Sequence, residues 1–221
     1  MFTPRAIIVA SAALLLFGGG LACKSHIYGP REPLAGATRR WTFDDDTPGR
    51  SAVGFRTVAG TFTVADDAHA FSGARTLRQV GVVPEREYTY ATVDGISAAD
   101  LQLRVRFRFE SGEIDQAGGL MFRVQDAKNY YLARANALEQ NVRLYRVVDG
   151  VRERLGNYTL EGMRAGLWYT LEIEARGERL SVRWNGEFVL QATDGAYKTG
   201  GIGIWSKADS ITAFDDLEMA P

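Results

Sequence analysis

The sequence predicts an all-β fold, a two-sheet antiparallel β-sandwich of the jelly-roll kind. Three observations carry the expectation. Apolar residues recur with period two over most of the chain, the signature of half-buried strands. Short turns containing Gly separate the alternating runs, among them Asp149-Gly150, Arg176-Gly177-Glu178 and Asn185-Gly186, which is hairpin chemistry. No segment sustains a helical period with caps. Many short strands joined in this way build sandwiches and barrels.

The 221 residues are 46% hydrophobic and 24% charged. That balance excludes a disordered, collagenous or coiled-coil chain. The length suits one sandwich domain that buries its core without disulfide staples. Lys plus Arg number 26 and Asp plus Glu 27, so the basic excess of a nucleic-acid binder is missing and no such partner is expected.

Residues 1–22 read as a signal peptide. Arg5 supplies the positive start, and an apolar run from Ala6 to Phe17 ends at Gly18-Gly19-Gly20. The run is shorter than the ~20 residues that span a bilayer. Cys23 is the only cysteine and cannot form an internal disulfide. Its place after the apolar run resembles the lipobox of bacterial lipoproteins, where the thiol is acylated, although Gly20 stands where that motif prefers a large aliphatic residue. Ordinary cleavage after Ala22 is the alternative. Either route gives an exported protein, held to a membrane through a lipid anchor or free outside the cytoplasm. Residues 23–37 are polar and turn-rich, as a flexible tether is, and residues 38–221 form the sandwich.

Within 38–221 the strands follow from the alternation. Leu101, Leu103, Val105, Phe107 and Phe109 share one face, and Gln102, Arg104, Arg106, Arg108 and Glu110 the other, which predicts a core side and a solvated side. Strands over 171–176 and 180–184 alternate likewise. Others are expected near 41–44, 61–65, 75–80, 88–93, 117–125, 129–136, 141–148, 151–158, 187–193, 200–206 and 211–218. Residues 133–139 hold good helix formers, but they are short and follow a strand, so a strand ending in a turn is expected.

A series of motifs then carries a resemblance. It runs through Asp115-Gln116-Ala117-Gly118-Gly119, Asn129-Tyr130-Tyr131, Arg134-Ala135-Asn136-Ala137-Leu138-Glu139, Leu144-Tyr145, Trp168, Asn185-Gly186, Trp205-Ser206-Lys207 with Ala208-Asp209-Ser210, and Phe214-Asp215-Asp216. It resembles the concanavalin A-like lectin/glucanase superfamily. Within that it is similar to exported bacterial 3-keto-disaccharide hydrolase-like and laminin G-like domains. The resemblance covers residues 39–219. It implies two sheets, one concave, with terminal strands near 41–44 and 214–218 side by side. It also implies a carbohydrate partner, or cleavage of 3-keto sugars.

Glu113-Ile114-Asp115 looks like the start of the E-x-D-x-x-E signature of retaining glucanases, whose two carboxylates stand about 5–5.5 Å apart. Gly118 and Gly119 stand where the second Glu belongs, so a polar loop is expected. Glu172 and Glu174 share a strand face about 7 Å apart, and cross-strand ion pairs with Arg104, Arg106 and Arg108 on a solvated face explain them. On consecutive strands Arg123, Tyr130, Arg134 and Asn136 fall in one register, with Glu139 and Asn141 at the edge. Amide, guanidinium, carboxylate and aromatic groups are what a sugar needs. The same set also describes a buried network that fixes register, and the two are compatible. Glu139 is the candidate base if the protein cleaves sugars. Trp205, Lys207 and Asp209 extend the face, or Trp205 is core. His26 and His69 make no zinc site. Because superfamily members hold structural calcium, Asp44 and Asp215 are candidate ligands, and no other cofactor is expected. A structural envelope protein is the remaining alternative.

Overall fold

A computed structural model describes residues 33–221. The expected signal peptide, Cys23 and His26 lie outside the described residues. Among the described residues there are fifteen strands: β1 (Arg39–Trp41), β2 (Phe55–Ala59), β3 (Phe62–Asp66), β4 (Arg75–Gln79), β5 (Tyr88–Val93), β6 (Leu101–Ser111), β7 (Ala117–Asp126) and β8 (Asn129–Asn136). They continue with β9 (Asn141–Val148), β10 (Val151–Thr159), β11 (Trp168–Arg176), β12 (Arg179–Trp184), β13 (Glu187–Thr193), β14 (Gly201–Lys207) and β15 (Ile211–Ala220). No α-helix occurs among the described residues. One sheet has the order β13-β12-β11-β6-β15-β4-β3, with β1 also paired to β15; the other runs β10-β9-β8-β7-β14-β5-β2. Every pairing is antiparallel. The expected sandwich is therefore the observed one.

The hairpin signals act as their chemistry demands. Asp149 and Gly150 hold φ of 50° and 83°, and Asn185 and Gly186 hold 49° and 88°, the left-handed pair of a type I′ turn. The terminal strands meet, Trp41 opposite Leu217, although β1 ends at Trp41 and Thr42–Asp44 lie beyond it. Strand β2 was not foreseen. It is five residues between Gly54 and Gly60, and it closes the edge of the second sheet beside β5.

The core between the sheets takes the apolar set of every long strand. From β6 come Leu103, Val105, Phe107 and Phe109, and from β7 to β9 come Leu120, Phe122, Tyr131, Ala133 and Leu144. Phe107 packs against Phe109, Trp184 and Phe214 with ring centroids 5.1, 5.9 and 6.2 Å away. Truncating one such ring to Ala costs about 3–5 kcal/mol.

The other face of β6 corrects the expectation. Arg104, Arg106 and Arg108 are buried, at 7%, 0% and 6% exposure. Cross-strand ion pairs do form: Arg104 meets Glu172 at 3.1 Å, and Arg106 meets Glu218 at 3.0 Å. Solvent is shut out because residues 67–74 fold over the face. Ser72 N–H donates to Asp215 and its hydroxyl to Asp216, both at 2.9 Å. Phe71 sits 4.9 Å from the Arg106 guanidinium, and the His69 carbonyl accepts from Arg108 and Trp168. From the other side, Leu34, which falls within the expected tether over 23–37, is buried and donates its N–H to Glu218. A bulge in β15 between Asp215 and Glu218 turns Asp215 and Asp216 to this same side.

Candidate functional site

The outer face of the second sheet carries its own cluster. Tyr130, Leu132, Tyr145, Val147, Met121, Tyr90 and Trp205 are buried together, apart from the core between the sheets. Trp205 is thus buried, but on the face that was expected to bind. The sheet is curled around this cluster. β9 and β5 are four strands apart in order, about 19 Å in a flat sheet. Yet the Arg152 guanidinium of β10 stands 4.7 Å from the Tyr88 ring of β5 and 5.1 Å from the Tyr145 ring of β9.

At the end of this face where β8 runs into β9, a polar cluster forms. Gly119 stands opposite Arg134 in register. A Cβ there would lie 2.8 Å from the Arg134 Cβ, so glycine is what admits the arginine. The chain then turns at 137–140. The Asn136 side-chain oxygen accepts the N–H of Leu138 and of Glu139, each at 2.9 Å, an Asx turn. It swings Glu139 back over the sheet. Glu139 Oε2 meets Arg134 Nη2 at 3.0 Å and Arg143 Nη1 at 2.6 Å, and accepts from Asn141 Nδ2 at 3.2 Å. Arg134 Nη1 also donates to Asn141 Oδ1 at 2.7 Å. The Tyr145 hydroxyl accepts from both arginines at 3.4 Å.

A second carboxylate stands behind the first. Asn136 Nδ2 donates to Asp115 Oδ1 and, at 3.4 Å, to Glu139 Oε1. Lys207 closes on Asp115 at 2.5 Å. Glu113-Ile114-Asp115 is a loop, as expected, and Asp209 holds it by accepting the N–H of all three residues. Exposure divides the cluster: the Glu139 side chain is 38% exposed, those of Arg134 and Asp115 each 3%.

Burial pushes the Glu139 pKa upward, but the Arg134 charge, the Asn141 hydrogen bond and Arg143 outweigh it, so the carboxyl titrates below its ordinary value. Burial likewise raises Tyr145, and the same two arginines bring it below its ordinary value.

The structure therefore brings Tyr130, Arg134, Asn136, Glu139 and Asn141 to one face, and it moves Arg123 away. β7 bulges between Phe122 and Asp126, and Arg123 takes φ 47°. Its guanidinium then points to the carbonyls of Ala99 and Tyr197, at 2.9 and 3.0 Å. The same bulge carries Val124, which alternation would place with Leu120 and Phe122 in the core, to the outer cluster. Arg143 and Tyr145 were missed, although their alternation with Val142 and Leu144 places them on this face. Arg152 carried no signal, since its contact to Tyr88 exists only in the curled sheet.

Among the described residues no group of three or more His, Cys, Asp or Glu side chains converges as a metal ion requires. Asp44 and Asp215 do approach one loop, but their oxygens accept N–H groups of Ala74, Arg75 and Ser72.

Known proteins share this architecture. The model of the 3-keto-alpha-glucoside-1,2-lyase-like domain matches residues 43–220. The chain belongs to that family. It is also 29% identical over 124 residues to a levanase of Bacillus subtilis, across 55% of this chain and 18% of the levanase, so it spans less than a fifth of that relative. A carbohydrate-binding module, CBM66, from Bacillus subtilis superposes with a TM-score of 0.63 at 24% identity, over 76% of this chain and 96% of that one. A Bacillus subtilis protein with a galectin-like fold gives 0.61 at 12% identity, over 83% and 95%. These likenesses show that the chain shares its two-sheet sandwich fold with both structures.

Proposed function

We propose that the chain is an extracytoplasmic carbohydrate-binding domain, tethered by a lipid on Cys23, whose site is the Arg134–Glu139–Asn141 cluster. The observation that carries this is the fixed, half-exposed Glu139 carboxylate with two guanidinium groups and an amide locked around it. Such a set presents acceptor and donors at one spacing, as a pair of adjacent sugar hydroxyls requires. Fixed groups lose little freedom on binding. The levanase and binding-module relatives support the same ligand class.

The family match favours a second reading, in which the domain cleaves 3-keto glucosides. A base would then remove the proton made acidic by the neighbouring ketone. Glu139 is the carboxylate in place, but its pKa is lowered, whereas a general base works best with a pKa near the working pH. Binding is therefore the preferred reading.

A glycan array with fragment 24–221 identifies the ligand. Arg134→Ala should then weaken binding at least about thirtyfold, the ~2 kcal/mol of a hot spot, with the β spectrum retained. Wild-type binding by the folded variant would place the site elsewhere. Release of product from a 3-keto glucoside, lost in Glu139→Gln, would establish the second reading.

A further inference from the structure

The face that carries Arg134 runs past Tyr130 into a trough at its opposite end, beside the β7–β8 turn. The trough holds about 580 Å³, within the range of small-ligand sites. Gly201 of β14 lies in its floor, Tyr90 and Thr92 of β5 with Asp94 border one side, and Val124 and Asp126 of β7 the other. The Arg134 cluster contributes nothing to it. Tyr130 and Asn136 are six residues apart on β8, roughly 20 Å at strand rise, so one short sugar cannot fill both places.

Three strands bordering the trough break register beside it. β2 shifts between Thr57 and Ala59, β7 between Phe122 and Asp126, and β14 between Gly201 and Ile202. Bulges re-aim side chains and gather next to functional sites. The β7 bulge is held at some cost. Arg123 sits at φ 47°, unfavourable for a residue with a Cβ, and its buried guanidinium ties it to Ala99 and Tyr197. Gln125 Nε2 locks the same wall, donating to Arg123 O at 2.9 Å and to Thr199 O at 2.5 Å. Arg123 is in this sense a positioning residue of the trough.

The floor is bare where packing does not require it. At Gly203 a Cβ would stand 2.5 Å from the Ala91 carbonyl, so glycine is obligatory. At Gly201 the nearest atoms to a Cβ would be 3.6 and 3.7 Å away, ordinary contact, and a side chain there would fill the trough instead.

The lining selects the ligand. The Tyr90 hydroxyl is tied to the Ala127 carbonyl at 3.2 Å, so its buried ring is a fixed apolar wall of the trough. Asp94 is an exposed acceptor for hydroxyl donors, and Asp126, also exposed, accepts from the Lys128 N–H and Asn129 Nδ2 and keeps lone pairs for a further donor. Among the residues lining the trough Arg56 is the one cation beside two carboxylates, which disfavours an anion. The geometry points to a second saccharide subsite in this trough, for a neutral glycosyl unit, separate from the Glu139 cluster.

Amide NMR titration of fragment 24–221 with sucrose and with levan oligosaccharides tests it. Thr92, Asp94, Gln125 and Gly201 should shift as one set that saturates together. Gly201→Leu should abolish that set, and Asp94→Ala, at an exposed position, should weaken it about tenfold. Arg134→Ala should leave it unchanged. No shifts in the set, or a set indifferent to both trough variants, overturns the subsite. Trough shifts without shifts around Glu139 would uphold the subsite while removing the site proposed above.

Discussion

The two outer faces of this sandwich are built from the same residue types and end in different states. On the first sheet, Arg104, Arg106 and Arg108 meet Glu172, Glu218 and Asp67. On the second, Arg134 and Arg143 meet Glu139. The first face is roofed by residues 67–74 and by Leu34, and the Glu218 side chain has no exposure. Among the described residues no such roof covers the carboxylate of the second, and Glu139 keeps 38% of its side-chain surface exposed. Removing one partner of a buried pair strands the other charge, whereas an exposed carboxylate can exchange its partners for water or for ligand hydroxyls. Cover, more than composition, separates a structural network from a candidate binding site.

Substitution of the two glutamates tests this contrast most strongly. Glu218→Ala takes a buried carboxylate away from both Arg106 and Arg104 and should cost about 3–5 kcal/mol in denaturant unfolding. Glu139→Gln keeps most hydrogen bonds and should cost about 1 kcal/mol or less. Equal losses would mean that both faces are structural.

The roofed face should also show in the pH dependence. Asp215 is raised to about 7, by burial first and by the neighbouring Asp216 charge, against the N–H it accepts from Ser72. An unfolded Asp titrates near ~3.9. The folded state thus binds the extra proton, and this contribution is fully present below about pH 4 and lost as pH rises through about 7. Between those limits stability should fall by up to about 1.4 kcal/mol per pH unit from this group. Asp215→Asn should remove that slope, measured as unfolding free energy against pH. Glu139 has the opposite sign: its contribution is present at neutral pH and lost on acidification through its lowered pKa.

The smallest effect belongs to a pair with neither roof nor cluster. Arg56 and Asp94 stand 3.9 Å apart with side chains 72% and 59% exposed. Arg56→Ala should change the unfolding midpoint by less than about 0.5 kcal/mol equivalent. A larger loss would show that exposed pairs on the trough rim also hold the fold.

Much of the candidate site was legible in the sequence. Tyr130, Arg134 and Asn136 share a face because the side-chain period of a strand is two, and no bulge interrupts β8 against β9. Glu139 and Asn141 follow from the short turn. Arg123 falls off this face because one bulge in β7 reverses the strand's alternation. Strand β2 was passed over because five residues between two glycines carry little periodic signal.

By itself, then, the sequence determined the two-sheet architecture, its hairpins and which residues of β8 point the same way, since these depend on local alternation and turn chemistry. Tertiary structure alone decided that the arginines of β6 are buried, since their roof comes from residues about 40 positions earlier, as in the Asp67–Arg108 pair separated by 41. It alone brought Arg152 against Tyr88, because that contact needs the curl of a seven-stranded sheet. Alternation assigns a side chain to a face, but only the path of the distant chain decides whether that face meets water.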